Sequence, residues 1–228
     1  MASVPPVPTP AELAENLARV EERIQRACAR AGRPRDSVLL LAVSKVFPAE
    51  AIMRAHALGL RDFGENYVQE METKAPTVRP LDARFHLIGH LQSNKSRRAT
   101  ELFDVIQTVD SAKLARRLAE SARPLDVLIE VKLSEEESKY GAAPEDVPGL
   151  VEAIRGLPSL CLTGLMTMPP WDDNPEAARP YFVRLRRLAE PLGLAQLSMG
   201  MSHDLEAAIE EGATIVRVGT ALFGRRRP

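Results

Sequence analysis

The chain has 228 residues, 45% of them hydrophobic, and 30 Lys+Arg against 31 Asp+Glu give a net charge of −1. Such a chain can bury one large core, and its balanced charge provides no global field for nucleic acid or an anionic membrane. No apolar run is long enough to span a bilayer, and Met1–Pro8 shows neither the basic nor the apolar region of a secretory signal, so a cytoplasmic protein is expected.

Residues 1–10 are Pro-rich and read as a mobile tail, leaving 11–228 as a single domain. Leu13, Leu17, Val20, Ile24 and Ala27 recur at helical spacing and predict a helix over 11–31, with Gly32 and Pro34 as stops. Strand-like apolar runs follow at 38–44, 60–63, 84–88, 104–109, 125–132, 160–166, 194–199 and 214–218. Between them the pattern predicts helices near 48–58, 65–74, 93–101, 111–122, 145–155, 175–191 and 203–211, and a short turn after Gly219. The stretch 168–175 reads as an irregular surface loop. Near-continuous apolar strands alternating with amphipathic helices argue for an α/β fold with parallel strands covered on both faces. Eight such units predict a single (β/α)8 TIM-type barrel with an extra N-terminal helix; because the run at 60–63 is short, an open sheet of six or seven strands is the alternative. A barrel closed by its own helices needs no partner to bury its core, so a monomer is expected. Cys28 and Cys161 read as reduced packing residues.

Barrel enzymes gather their chemistry at the C-terminal ends of the strands. The first of those ends carries Lys45, directly after the apolar run 38–44. Of the 30 Lys+Arg, only Lys45, Lys74, Lys95, Lys113, Lys132 and Lys139 are lysines, so arginine is the default cation. A desolvated lysine can lose its proton and attack a carbonyl, which arginine cannot do. A lysine that merely extends into solvent is the competing reading. The last two strand ends carry Ser198–Asp204 and Arg217–Thr220. Gly200 permits a tight turn, Ser202 falls where a helix is expected to begin, and Gly219 and Thr220 add donors, so the two segments can cradle an anion. Taken singly, Ser202 is as well explained as a helix cap and Gly219 as a plain turn. By strand alternation Arg217 points into the barrel mouth, where it either pairs with a carboxylate such as Glu130 or donates to an aromatic ring nitrogen. An amine, a phosphate cradle and a ring-nitrogen partner together specify pyridoxal 5′-phosphate (PLP).

The segments Ala42–Lys45, Asp62–Asn66, Phe85–Lys95, Gly164–Met168, Leu197–Asp204 and Arg217–Gly224 resemble those of the pyridoxal phosphate homeostasis protein family, relatives of the alanine racemase N-terminal barrel. The resemblance spans essentially everything after residue 35. It implies that Lys45 carries PLP as a Schiff base and that Ser202, Gly219 and Thr220 hold the phosphate. It further implies that Arg217 faces the pyridine nitrogen and that Asn66, His86 and Met166 line the pocket. Ser138–Gly141 also resembles a family segment, and Arg225–Pro228 reads as a tail.

An arginine beside the pyridine nitrogen keeps it neutral and weakens the electron sink. Two-base racemisation needs acid–base groups on both ring faces. In the racemase the second base comes from a further β domain, for which the chain after its last barrel unit has no room, and Tyr67, Tyr140 and Tyr181 all fall inside the barrel region. The expectation is a PLP carrier active in intracellular homeostasis, passing cofactor to PLP-dependent apoenzymes without robust catalysis. The alternatives are a weak racemase or decarboxylase, and a phosphate-binding barrel without PLP. Metal binding by His86 and His90, which lack a third ligand nearby, is not expected, nor is RNA binding by the short basic run Asn94–Arg98. Glu135–Glu137 reads as a solvated acidic loop.

Overall fold

The computed structural model describes residues 5–121, 123–134 and 140–224. The acidic run Glu135–Glu137, the first half of the segment Ser138–Gly141 and the end Arg225–Pro228 lie outside the described residues. Eight strands, β1 (Leu39–Val43), β2 (Asp62–Glu65), β3 (Arg84–Leu87), β4 (Val105–Val109), β5 (Leu125–Glu130), β6 (Leu160–Met166), β7 (Gln196–Met201) and β8 (Ile215–Val218), close into a barrel in chain order. Every neighbouring pair is parallel, including β8 back to β1. The chain is a (β/α)8 barrel.

Alternation along β1 shows how sequence makes the two layers. Leu40 and Ala42 pack outward under the helices, while Leu41 and Val43 point inward with Ile88, Val105, Leu128, Met166 and Ile215. The helices that cover the strands are α2 (Ala49–Ala57), α3 (Val68–Val78), α4 (Ser96–Leu102), α5 (Ala112–Ala119), α6 (Val147–Arg155), α7 (Arg179–Ala189) and α8 (Leu205–Glu210), and a final turn forms α9 (Thr220–Phe223). The extra helix, α1 (Pro10–Arg30), starts at a capping box: the Glu12 N–H donates to Thr9 Oγ1 at 3.2 Å, and Glu12 Oε2 accepts from the Thr9 N–H at 2.7 Å. It packs against α8 and α9, burying Leu13, Val20, Ile24, Ala27 and Cys28.

Several boundaries differ from the sequence reading. Strand β2 runs two residues later than 60–63, to Glu65, because a buried charge paired from outside the strand is invisible to hydropathy. Strand β7 likewise continues through Ser198 and Gly200 to Met201. Helix α3 passes through Pro76 to Val78, where the buried Ala75 and Val78 offset the hydrogen bond that the proline cannot donate. Residues 5–9 are held: Val7 packs on the core, and Arg54 donates to the carbonyl of Pro8. Cys161 is exposed on β6, so it is not the packing residue expected; only Cys28 is buried.

Candidate functional site

The C-terminal ends of the strands enclose a cavity of about 950 Å³. Lys45, Asn66, Ser202, Arg217, Gly219 and Thr220 all line it, and because β1 pairs with β8 the end that carries Lys45 lies beside the end that carries Gly219 and Thr220. Two predicted residues lie elsewhere. Met166 is buried among the inward-facing side chains beneath the cavity. His86 pairs in register with Val105, the first residue of β4, and lines a small opening at the opposite end of the barrel. Neither lines the cavity: Met166, although the last residue of β6, is fully buried in the inner cluster, and His86 lies below Ile88, the residue of its strand's inner face that does.

Ser202 differs in role from the helix start expected of it. Helix α8 begins at Leu205, and Ser202 lies in the preceding turn. Its Oγ accepts the N–H of Ala221 at 3.2 Å, tying the β7 end to the first turn of α9 and leaving its own hydrogen to donate. Gly200 makes that turn possible: its φ is +88°, and a Cβ would lie 2.4 Å from that of Ala208.

Arg217 is 3% exposed. Its guanidinium donates to Ser198 Oγ at 2.9 Å and to the Thr167 carbonyl at 2.8 Å, and no hydrogen bond to Glu130 occurs among the described residues. Ser198 Oγ donates to Gln107 Oε1 at 2.6 Å, the Gln107 amide contacts His86 Nδ1 at 3.0 Å, and His86 Nε2 meets Asp62 Oδ1 at 3.0 Å. A polar row thus crosses the barrel interior and anchors Arg217 from below; this is where His86 acts. Burial lowers the Arg217 pKa to about 10, opposed by the charges of Asp204 and Glu130. Glu130 is pushed up to about 7 by burial and by Asp110, against the pull of Arg217.

Three features were not legible beforehand. Asn16, Arg19, Val20 and Arg23 of α1 form one cavity wall. Arg23 grips Glu206 through two bonds of 2.7 Å and donates to the Ser202 carbonyl at 2.9 Å, steadying the turn. On the other side, Lys74, only 4% exposed, reaches Ser44 O at 3.0 Å and Glu65 Oε1 and Glu70 Oε1 at 2.7 Å each. At the rim, Trp171 tilts over His203 at 4.9 Å, and Tyr140 stacks on His90 at 3.6 Å. No group of three or more metal-binding side chains occurs among the described residues.

Asn66 owes its place to Gly89. A Cβ on residue 89 would lie 2.2 Å from the Asn66 carbonyl oxygen, so only glycine lets the β3 end pass this backbone. Gly89→Ala is expected to cost about 2 kcal/mol. Denaturant unfolding checks this, and a variant within about 0.5 kcal/mol of the parent would contradict it.

An eight-stranded parallel barrel with Lys45 after its first strand and Ser202, Gly219 and Thr220 after its last two, all lining one cavity, belongs to the class to which alanine racemase contributes its barrel. The family model described as "alanine racemase, N-terminal domain" matches residues 16–227. The alanine racemase of Corynebacterium glutamicum shares the fold at a TM-score of 0.69 and 19% identity, over 93% of this chain and 60% of that one. The pyridoxal phosphate homeostasis protein of Pseudomonas aeruginosa is 51% identical over 220 residues, covering 94% of this chain and 96% of that protein. PipY of Synechococcus elongatus, solved with PLP bound, matches at a TM-score of 0.81 and 40% identity over 93% of this chain and 100% of that one. The chain belongs to the pyridoxal phosphate homeostasis protein family, within the alanine racemase N-terminal domain class.

Proposed function

We propose that this chain binds pyridoxal 5′-phosphate in the 950 Å³ cavity and serves intracellular PLP homeostasis as a cytoplasmic monomer formed by a single domain. The observation that carries the reading is that Lys45 and the Ser202, Gly219 and Thr220 donors share one cavity with a buried arginine. The residues suit the cofactor. Ser202 has a hydroxyl hydrogen to give, and α9 begins at Thr220, whose N–H has no acceptor within the helix, while the Ala221 N–H is taken by Ser202. Gly219 lines the cavity between them. Arg217, always protonated at neutral pH, can donate to a ring nitrogen but cannot give it a proton. When bound, the cofactor supplies an aldehyde electrophile. The Lys45 nitrogen would bond to its carbon, and water would leave with the carbonyl oxygen. Asn66 lines the wall beside Lys45.

With Arg217 holding the ring nitrogen unprotonated, proton abstraction from a bound amino acid gains little assistance. This favours holding PLP and passing it to apoenzymes over turnover. The test is spectroscopic. The parent protein mixed with PLP is expected to show a visible imine band that borohydride abolishes, with the label mapped to Lys45 by mass spectrometry. Lys45→Ala is expected to lose the band completely. Equal labelling of the parent and Lys45→Ala would reject the assignment. Amino-acid racemisation or decarboxylation at ordinary enzyme rates would reject the non-catalytic role.

A further inference from the structure

Lys74 and Glu70 belong to α3, outside the barrel wall, yet their charged ends converge on the segment that carries Lys45. Lys74 Nζ donates to the Ser44 carbonyl at 3.0 Å and to Glu70 Oε1 at 2.7 Å, and the same Glu70 oxygen accepts the N–H of Val46. Glu65 Oε1 completes the cluster, accepting from Lys74 and from the Ser44 hydroxyl at 2.7 Å each. The Ser44 carbonyl belongs to the peptide group before the Lys45 Cα, and the Val46 N–H to the one after it. Fixing both peptide planes fixes the direction of the Lys45 Cα–Cβ bond. Val46 has φ +67°, a conformation that β-branched residues avoid, so the segment would relax elsewhere without an external hold.

We propose that Glu70 and Lys74 are positioning residues that aim the Lys45 amine at the cofactor aldehyde, an inference that rests on the Lys45 reading above. Covalent attachment depends steeply on the alignment of the reacting atoms, whereas grip on the phosphate does not. Glu70 is the informative position because it is partly exposed and its loss still leaves Lys74 paired with Glu65.

The experiment compares the parent, Glu70→Ala and Glu70→Gln with two probes: PLP, and 4-deoxypyridoxine 5′-phosphate, which lacks the aldehyde. Glu70→Ala is expected to bind the deoxy probe within about twofold of the parent, yet to form the covalent adduct about tenfold more slowly and to hold PLP about tenfold more weakly. Glu70→Gln, which can still accept the Val46 N–H, is expected to recover most of that loss. Unchanged adduct formation in Glu70→Ala, or an equal loss with both probes, would overturn the positioning role. A parent protein that forms no Lys45-dependent adduct would overturn the functional reading itself, and the two failures are told apart by the parent alone.

Discussion

Lys74→Met is expected to destabilise the fold by about 3–5 kcal/mol at pH 8, measured by denaturant unfolding. The side chain is nearly isosteric, so the loss comes from charge rather than volume. Glu65 is fully buried, and its Oε2 already lacks a hydrogen-bond partner. Burial raises its pKa to about 7, against a strong opposing pull from Lys74. Removing the ammonium leaves Glu65 and Glu70 facing each other without a cation and strips the Ser44 carbonyl of its donor. As the pH falls towards 5, Glu65 can take up a proton, so the deficit is expected to narrow. Addition of Glu65→Gln to Lys74→Met is expected to restore part of the loss at pH 8. A single variant within about 1 kcal/mol of the parent at pH 8 would show that the cluster is not coupled as its distances imply.

Glu130→Gln is expected to have the opposite sign, stabilising the protein by about 2 kcal/mol at pH 8 and leaving it unchanged near pH 4. Glu130 titrates at about 7 in the fold against an ordinary 4.5, because burial disfavours its charged form. Between those two values the folded state keeps a proton that the unfolded chain releases. Raising the pH through that window therefore weakens the fold, and the weakening is complete only above 7. The whole interval corresponds to about 3 kcal/mol and already includes the pull of Arg217; the gain falls short of that because the glutamine amide places two donors in a buried site where Glu130 Oε2 has no hydrogen-bond partner. Paired unfolding curves at pH 4 and pH 8 provide the measurement. A variant less stable than the parent at pH 8 would mean that the attraction between Glu130 and Arg217 outweighs the cost of burying the carboxylate.

Much of the site was readable because two periodicities suffice to find it. Period-2 alternation puts Arg217 on the inner face, and the end of an apolar run marks Lys45 and Ser202 as rim residues, whereas Asn66 comes from the family resemblance. What alternation cannot supply is depth. His86 and Ile88 share a face of the chain, but Ile88 lines the cavity and His86 the far end. Only the stagger between strands, which pairs His86 with the start of β4, separates them. Helical periodicity failed in the other direction. It assigns Asn16, Arg19 and Arg23 to solvent, since nothing local announces that a helix outside the strand ring bends over its mouth. Lys74 carried one clue: it is a lysine in a chain that otherwise prefers arginine. A compact ammonium satisfies three acceptors at 2.7–3.0 Å from a single nitrogen, which a planar guanidinium fork cannot do.

That a helix outside the ring completes the chamber has a practical consequence for anyone transplanting or recombining this scaffold. The eight repeats alone would make a bowl with a gap in its side, and the turn at Ser202 would lose the brace that Arg23 provides. A chimera joined anywhere after residue 30 would inherit the barrel and its lysine but import a foreign panel into the wall they share. Cut points for such hybrids therefore belong ahead of Thr9, where the helical cap begins.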